Sequence, residues 1–209
     1  MQAIRLSPLP VRRFAVLAAA HIIFGFANAL LRLSGQGNDP CTAMVLVLGG
    51  RLGLSLSVMS LVVYGLFFIV QAVADRTLVG VGTFINWVFV GILTDACFDF
   101  YNRTFVLPNS LRVPAALVSI VLFSLAASMY QTADMGVSPY DSLSIILSRK
   151  TGLSYTGWRI FTDAACVLLC ATFGGVLGIG TLMCAVGVGP IIGFFNRHVS
   201  RRACGLMEA

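Results

Sequence analysis

The chain alternates long runs of apolar residues with short segments rich in glycine, proline and charge. Residues 14–31 and 114–133 contain no Asp, Glu, Lys or Arg, and each run is long enough, as a helix, to cross about 30 Å of hydrocarbon. The runs lack the alternation of a membrane β-barrel, and a backbone in lipid has to satisfy its own hydrogen bonds. The pattern predicts an all-α, polytopic helical membrane protein that forms a single integral membrane domain over residues 1–209.

The pattern also repeats itself along the chain. A shift of 99 residues (136 minus 37) places Gly37 and Pro40 on Gly136 and Pro139. We therefore predict two tandem structural repeats, at about 11–100 and 110–198, each with three long helices and one short helix. The predicted long helices cover 14–34, 56–74, 80–98, 113–133, 155–173 and 178–196, and the short helices cover 40–51 and 139–150.

The short helices leave two topologies open. A dozen residues reach only about 18 Å as a helix, so these segments either cross, giving eight spans and parallel repeats, or re-enter, giving six spans and inverted repeats. Both topologies put the two termini on one side. The basic residues before the first run and after the last predict that this side is cytoplasmic, in a bacterial inner (plasma) membrane. These flanking residues are Arg5, Arg12, Arg13, Arg197, Arg201 and Arg202.

The remaining basic residues favour eight spans, because cytoplasmic loops carry the excess of Lys and Arg. The basic residues left outside are Arg32 and Arg76 with eight spans, and Arg32, Arg51, Arg103 and Arg112 with six.

Composition narrows the function. Only 11% of the residues are charged, against about 25% in a soluble domain. The net charge of +6 comes from basic residues at the edges of apolar runs, so we expect no nucleic-acid binding. The six cysteines show no CxxC spacing, and we expect no metal site and no cofactor. No nucleophile with a base and an orienting group is recognisable, and an enzyme is therefore not expected.

Polar residues within the apolar runs are the candidates for function. A charge at membrane depth costs about 2.5–3.5 kcal/mol on insertion scales, yet Arg159 and Asp163 lie four residues apart inside one run. Two alternatives to a binding role remain open: Asp163 serves only to hold two helices together, and Asp141 serves only to cap its helix. The start of a short helix at a Gly/Pro break also attracts anions. The candidate binding residues are Asp141, Ser144, Ser148, Arg159, Asp163, Asn86, Gly136 and Pro139.

Three motifs in the second half resemble a known family. They are Gly-x-x-Pro-x-Asp at 136–141, the basic pair with Thr-Gly-Leu-Ser at 149–154, and Gly-Ile-Gly-Thr at 178–181. Together they resemble the YczE-like bacterial membrane proteins, relatives of the YitT group. The resemblance implies a multi-pass membrane fold, with transport as the usual guess for its role. The first half departs from it, since Thr42 stands where the second half has Asp141.

Two functions follow as hypotheses. The first is a small-molecule transporter or exporter of the bacterial plasma membrane, whose site lies between the repeats near the membrane midplane. The alternative is a non-transporting membrane subunit that binds or regulates a partner protein complex. The expected partners are the lipid bilayer, an unknown small-molecule substrate, and a second copy of the chain or a partner membrane protein.

Overall fold

The computed structural model describes residues 11–204, so Arg5 lies outside the described residues. Within that range the chain is helical and contains no strand. The eight main helices are α1 (Val11–Ser34), α2 (Pro40–Leu52), α3 (Leu56–Ala74), α4 (Val81–Thr104), α5 (Arg112–Ala133), α6 (Pro139–Thr151), α7 (Tyr155–Thr172) and α8 (Ile179–Phe195). A π-helical turn, Asn196–Ser200, and a last helical turn, Arg201–Ala203, extend α8.

The predicted all-α membrane fold is confirmed. Five helical segments are long and apolar enough to span a membrane: Val11–Ser34, Leu56–Ala74, Val81–Thr104, Asn109–Ala133 and Ile179–Ala203. α7 is not among them, because Arg159 and Asp163 interrupt its apolar surface. The largest error in the predicted boundaries is the end of α4. The apolar run stops near Phe98, but the helix continues to Thr104, whose hydroxyl donates to the carbonyl of Phe100.

The two short helices begin and end for the same local reasons. Each has proline at its first position, where no backbone N–H is needed. The side chain of Asp39 accepts a hydrogen bond from the backbone N–H of Thr42, at 3.0 Å, and Ser138 accepts one from Asp141, at 3.1 Å. Such caps satisfy N–H groups that have no partner within the helix. Both helices end at a glycine with positive φ, the left-handed conformation that glycine adopts most easily.

α1 lies at the centre of the bundle and packs against α5 in the opposite direction. The ring of His21 contacts that of Tyr130 at 5.8 Å, and one turn further along α1 Phe24 contacts Phe123 at 5.1 Å. Further still, Leu31 packs with Ile120. Positions that advance along α1 therefore meet positions that recede along α5. The start of α1 and the segment after α8 also lie together, since Arg12 donates to the carbonyl of Ala203 at 2.7 Å. We call this the terminal end of the bundle.

This antiparallel packing contradicts the eight-span topology, in which α1 and α5 would run in the same direction. It agrees with six spans and two re-entrant short helices. Arg51, one of the basic residues that favoured eight spans, donates to the carbonyl of Phe173 at 2.8 Å instead of acting as a free loop charge. Arg32, which lies outside in both topologies, pairs with Asp95 at 2.9 Å.

The loops that precede the short helices cross to the other half of the chain. The backbone N–H of Gly82, at the start of α4, donates to the carbonyl of Met135 at 2.7 Å. Reciprocally, Gly180 at the start of α8 donates to Gln36 at 2.8 Å. A β-carbon at either glycine would come within 3.0 Å of that carbonyl oxygen, which explains the glycines at these positions. The duplication of the two halves stays a prediction.

Candidate functional site

The starts of the two short helices converge inside the bundle. Cys41, in the first turn of α2, and Tyr140, in the first turn of α6, belong to one buried cluster. Val63 of α3 and Cys166 of α7 complete the contact between them. Because both helices point their N-terminal ends toward this cluster, two positive dipole ends lie close together inside the bundle.

Arg159 joins two carboxylates beside this convergence. Its Nη1 atom donates to Oδ1 of Asp141 on α6, and its Nε atom lies 3.4 Å from Oδ2 of Asp163, one turn further along α7. The guanidinium also lies over the ring of Tyr140, 4.6 Å from the ring centre. Asp163 is buried, whereas Arg159 and Asp141 are partly buried. Arg159 and Asp163, four residues apart in the sequence, thus form an ion pair within α7, and Arg159 extends it to Asp141 on α6.

Tyr140 completes the group from the other side. Its hydroxyl donates to Oδ1 of Asp163 at 2.6 Å and accepts a weak hydrogen bond from the thiol of Cys166 at 3.6 Å. Each oxygen of Asp163 therefore faces a donor on a different residue. Such compensation is what permits a charge to remain in a low-dielectric interior. We call Tyr140, Asp141, Arg159 and Asp163 the central cluster.

The other predicted site residues lie outside this cluster. Ser144 is buried and its hydroxyl lies 3.1 Å from that of Thr162, so it ties α6 to α7. Ser148 donates to the carbonyl of Leu153 and closes the end of α6. Among residues 11–204, Asn86 is buried in α4 without a hydrogen bond to the cluster.

Gly136 and Pro139 have backbone roles. Gly136 has a φ of 111° and packs so tightly on Gly80 that a β-carbon would lie 2.6 Å from the Gly80 nitrogen. Pro139 is the first residue of α6 and is buried. The predicted break is therefore a packed turn that aims α6 at the central cluster.

Asp39 is a member of the site that the sequence argument missed. One carboxylate oxygen caps α2, while the other, Oδ1, is buried and has no hydrogen-bond partner among the described residues. Asp39 also lies within electrostatic range of Arg159 and Asp163. The sequence does carry a signal for Asp39, because Asp-Pro-x-Thr at 39–42 is typical of a helix start. In the alignment of the two halves, however, the residue that corresponds to Asp141 is Thr42 and not Asp39.

A second group of polar residues lies at the opposite end of the bundle. Asp95 of α4 accepts from Arg32 and, at 2.5 Å, from the hydroxyl of Ser57. Two open cavities of about 300 and 290 Å³ border this group and share Arg32 and Leu46 in their walls. Neither cavity is lined by a residue of the central cluster. Within residues 11–204, no three His, Cys, Asp or Glu residues are arranged to hold a metal ion.

Comparison with known proteins confirms the resemblance seen in the motifs. The profile of a family of unknown function (DUF6198) matches residues 11–197. The uncharacterized membrane protein YczE of Bacillus subtilis is 25% identical over 209 residues, covering 94% of each chain. An uncharacterized protein of Haemophilus influenzae is 26% identical, covering 91% of this chain and 86% of its own. YyaS of Bacillus subtilis, also uncharacterized, is 23% identical over 86% and 90%. No solved structure gives a significant match.

Proposed function

Since the chain belongs to the DUF6198 family, whose function is unknown, we propose a function from the geometry of its site: the protein transports or exports a small molecule across the bacterial plasma membrane. The observation that carries the proposal is the central cluster. Arg159 is held between two carboxylates where the short helices α2 and α6 converge. Polar and ionisable groups at membrane depth are costly, and they commonly belong to substrate or ion pathways.

The arrangement of the helices supports the same proposal. Discontinuous helices whose N-terminal ends meet inside the membrane supply unpaired N–H groups and positive dipole ends to a bound solute. The reciprocal hydrogen bonds Gly82–Met135 and Gly180–Gln36 join the start of a long helix in one half to the loop before the short helix of the other half. The two short helices are therefore held in place by both halves of the chain.

The chemistry of the site follows from the bonding of Arg159. The guanidinium holds Asp141 and Asp163 at once, and the Asp163 contact is the longer one, at 3.4 Å. A solute that carries a carboxylate or phosphate can replace one aspartate on the guanidinium fork. A cationic solute can replace the guanidinium on Asp163. Either exchange changes the link between α6 and α7 and so couples binding to movement.

Ligand binding to the purified protein tests the proposal first. A ligand that binds only the native state raises its stability, so a thermal-shift screen against metabolites, antibiotics and ions should find a saturable shift. The shift should disappear in Asp141→Asn and Asp163→Asn, and persist in the control Asp99→Asn, which removes an exposed carboxylate of α4. Uptake of the identified solute into proteoliposomes then has to show the same dependence. Equal uptake by the parent and the Asp141→Asn and Asp163→Asn proteins would refute the site.

A non-transporting membrane subunit is the second candidate, and the surface of α8 favours it. α8 belongs to the least buried of the membrane-spanning segments. Gly189 and Gly193 lie one turn apart, and a β-carbon at either would meet open space. Glycines at this spacing let two helices approach closely. Stoichiometric capture of one partner in mild detergent, lost in Gly189→Leu, would support the subunit if the isolated protein transports nothing.

A further inference from the structure

His21 carries an unpaired nitrogen deep in the bundle. The side chain is 2% exposed, and its Nδ1 atom lies 2.8 Å from the carbonyl oxygen of Leu17. A carbonyl only accepts, so Nδ1 has to carry the proton and Nε2 of the neutral ring has to present a lone pair. Nε2 is buried and has no hydrogen-bond partner among the described residues. It is therefore an acceptor without a donor.

Tyr130, on α5, provides the matching group. Its ring stands at 85° to that of His21, with 5.8 Å between the ring centres, and the side chain is 3% exposed. Its hydroxyl is also buried without a hydrogen bond of standard geometry. The same hydroxyl faces Ser138, the cap of α6, and lies within electrostatic range of Asp141 and Tyr155. A buried nitrogen without a donor and a buried tyrosine hydroxyl beside Ser138 thus lie on neighbouring helices.

The central cluster and Asp39 together lack one positive charge. Asp39, Asp141 and Asp163 supply three carboxylates and Arg159 one guanidinium. The two helix N-termini contribute roughly +0.5 each, which leaves about one negative charge uncompensated. In a low-dielectric interior such a charge is costly and is usually removed by taking up a proton or a cation.

We propose that the proton is the coupling ion of this site, and that His21 and Tyr130 conduct it between the terminal end of the bundle and Asp141. The inference rests on the proposed transport function and names its ion. The titratable groups around the His21–Tyr130 pair are Asp141 and Tyr155, at the starts of α6 and α7 and within electrostatic range of Tyr130, and Cys204, which packs in the same buried core. Asp141 is itself a member of the central cluster, where it pairs with Arg159.

The proton moves from the terminal end to Asp141 in two steps. Nε2 of His21 accepts a proton from a hydronium ion that arrives at the terminal end, which leaves neutral water and makes the ring an imidazolium. The imidazolium then passes its Nε2 proton through a bridging water molecule to the hydroxyl oxygen of Tyr130, while the original hydroxyl proton passes, also through water, to the carboxylate of Asp141. His21 and Tyr130 end as they began, and Asp141 is neutral. Protonated Asp141 releases Arg159, and this loss of the Asp141–Arg159 pair is what couples proton uptake to substrate binding.

The movement of charge across the membrane tests the proposed proton route, and the measurement does not require the substrate to be known. Proteoliposomes on a solid-supported membrane are given a pH step of about one unit across the range where His titrates. The parent should show a transient current, and Asp141→Asn and Asp163→Asn should lose it. His21→Gln and Tyr130→Phe should give the same total charge with a rise roughly tenfold slower. His198→Gln is the matched control, because His198 is exposed and should leave the current unchanged.

The outcomes separate the hypotheses. Parent-like rise times in folded His21→Gln and Tyr130→Phe would overturn the route, and no current in the parent would overturn the proton as ion. If the parent gives no current but a solute still raises its melting temperature, the transport proposal stands with a different coupling ion. If His21→Gln fails to fold, the parent current in heavy water decides, since a proton relay has to slow in D₂O and an unchanged rise time contradicts it.

Discussion

The hydroxyl of Tyr140 lies 2.6 Å from Oδ1 of Asp163, and this bond joins α6 to α7 at the level where Arg159 joins them a second time. Ser144 and Thr162 add a third link between the same helices. The α6–α7 hairpin is therefore a unit held by polar bonds, whereas the contact between α1 and α5 is made mainly by apolar and small side chains. Polar bonds can exchange partners when a ligand or a proton arrives, and packed apolar surfaces cannot.

Tyr140→Phe removes one of the donors on Asp163 and keeps the ring. We expect the free energy of unfolding to fall by about 1–2 kcal/mol, since a buried carboxylate loses a hydrogen bond within the membrane region. Thermal unfolding in detergent measures the change. Tyr101→Phe is the control, because Tyr101 lies in α4 away from the cluster. Equal melting temperatures for the two variants would contradict a bonded Asp163.

Arg159→Gln leaves Asp141 and Asp163 without their cation. Breaking a buried ion pair from one side costs about 3–5 kcal/mol, and the partial exposure of Arg159 puts the expected loss at the lower end of that range. The triple variant with Asp141→Asn and Asp163→Asn should recover most of the loss, because no uncompensated charge then remains. Additive losses in the melting temperatures of the single and triple variants would show that the three residues do not act as a unit.

Much of the fold follows from local signals. The Gly/Pro breaks, the capping residues and the apolar runs set the helix boundaries to within a few residues, and Arg159 and Asp163 stand out because charge is rare in an apolar run. The roles of Tyr140 and Asp39 could not be predicted in the same way. Their importance depends on two distant helix starts meeting, and tyrosine and a capping aspartate are ordinary in sequence. The direction of α1 against α5 likewise depends on packing, and the count of basic residues could not reveal that Arg51 is engaged in a protein contact.

Gly180→Ala tests the crossing of the loops. The new β-carbon would lie 2.8 Å from the backbone oxygen of Gln36. Because this clash is with backbone, no rotation of a side chain can relieve it. We expect a loss of about 1–3 kcal/mol in unfolding free energy, the usual cost of overpacking. Gly187→Ala, in the same helix but with open space around it, should be neutral or stabilising by up to about 1 kcal/mol. A similar thermal shift in both variants would contradict the close approach.

The pair Asp75–Arg149 predicts a pH dependence outside the membrane-spanning segments. Hydrogen bonds from Thr77, with help from Arg149, lower the pKa of Asp75 below its ordinary value. A carboxyl whose pKa is lower in the folded state than in the unfolded state stabilises the native state at pH values above its unfolded-state pKa, about 3.9. This contribution is lost as the pH falls through the folded-state pKa. Asp75→Asn should therefore cost at most about 1 kcal/mol at neutral pH.

The difference between Asp75→Asn and the parent should shrink as the pH falls below about 4 and as salt is added. Melting curves at several pH values measure it, with Asp99→Asn as the control for removal of an exposed carboxylate. A difference that grows toward acid pH would mean that the hydrogen bonds do not favour the ionised carboxyl.

The antiparallel packing of α1 and α5 makes a prediction about which loops share a side of the membrane. With six spans, position 76, after α3, lies on the same side as position 201, and position 103, at the end of α4, lies on the opposite side. Eight spans would pair 103 with 201 instead. Single cysteines at the three positions in a cysteine-free background, treated with a membrane-impermeant thiol reagent on intact cells, distinguish the two. Labelling of 103 alone is expected with cytoplasmic termini, and labelling of 76 alone would mean that α1 and α5 cross the membrane in the same direction.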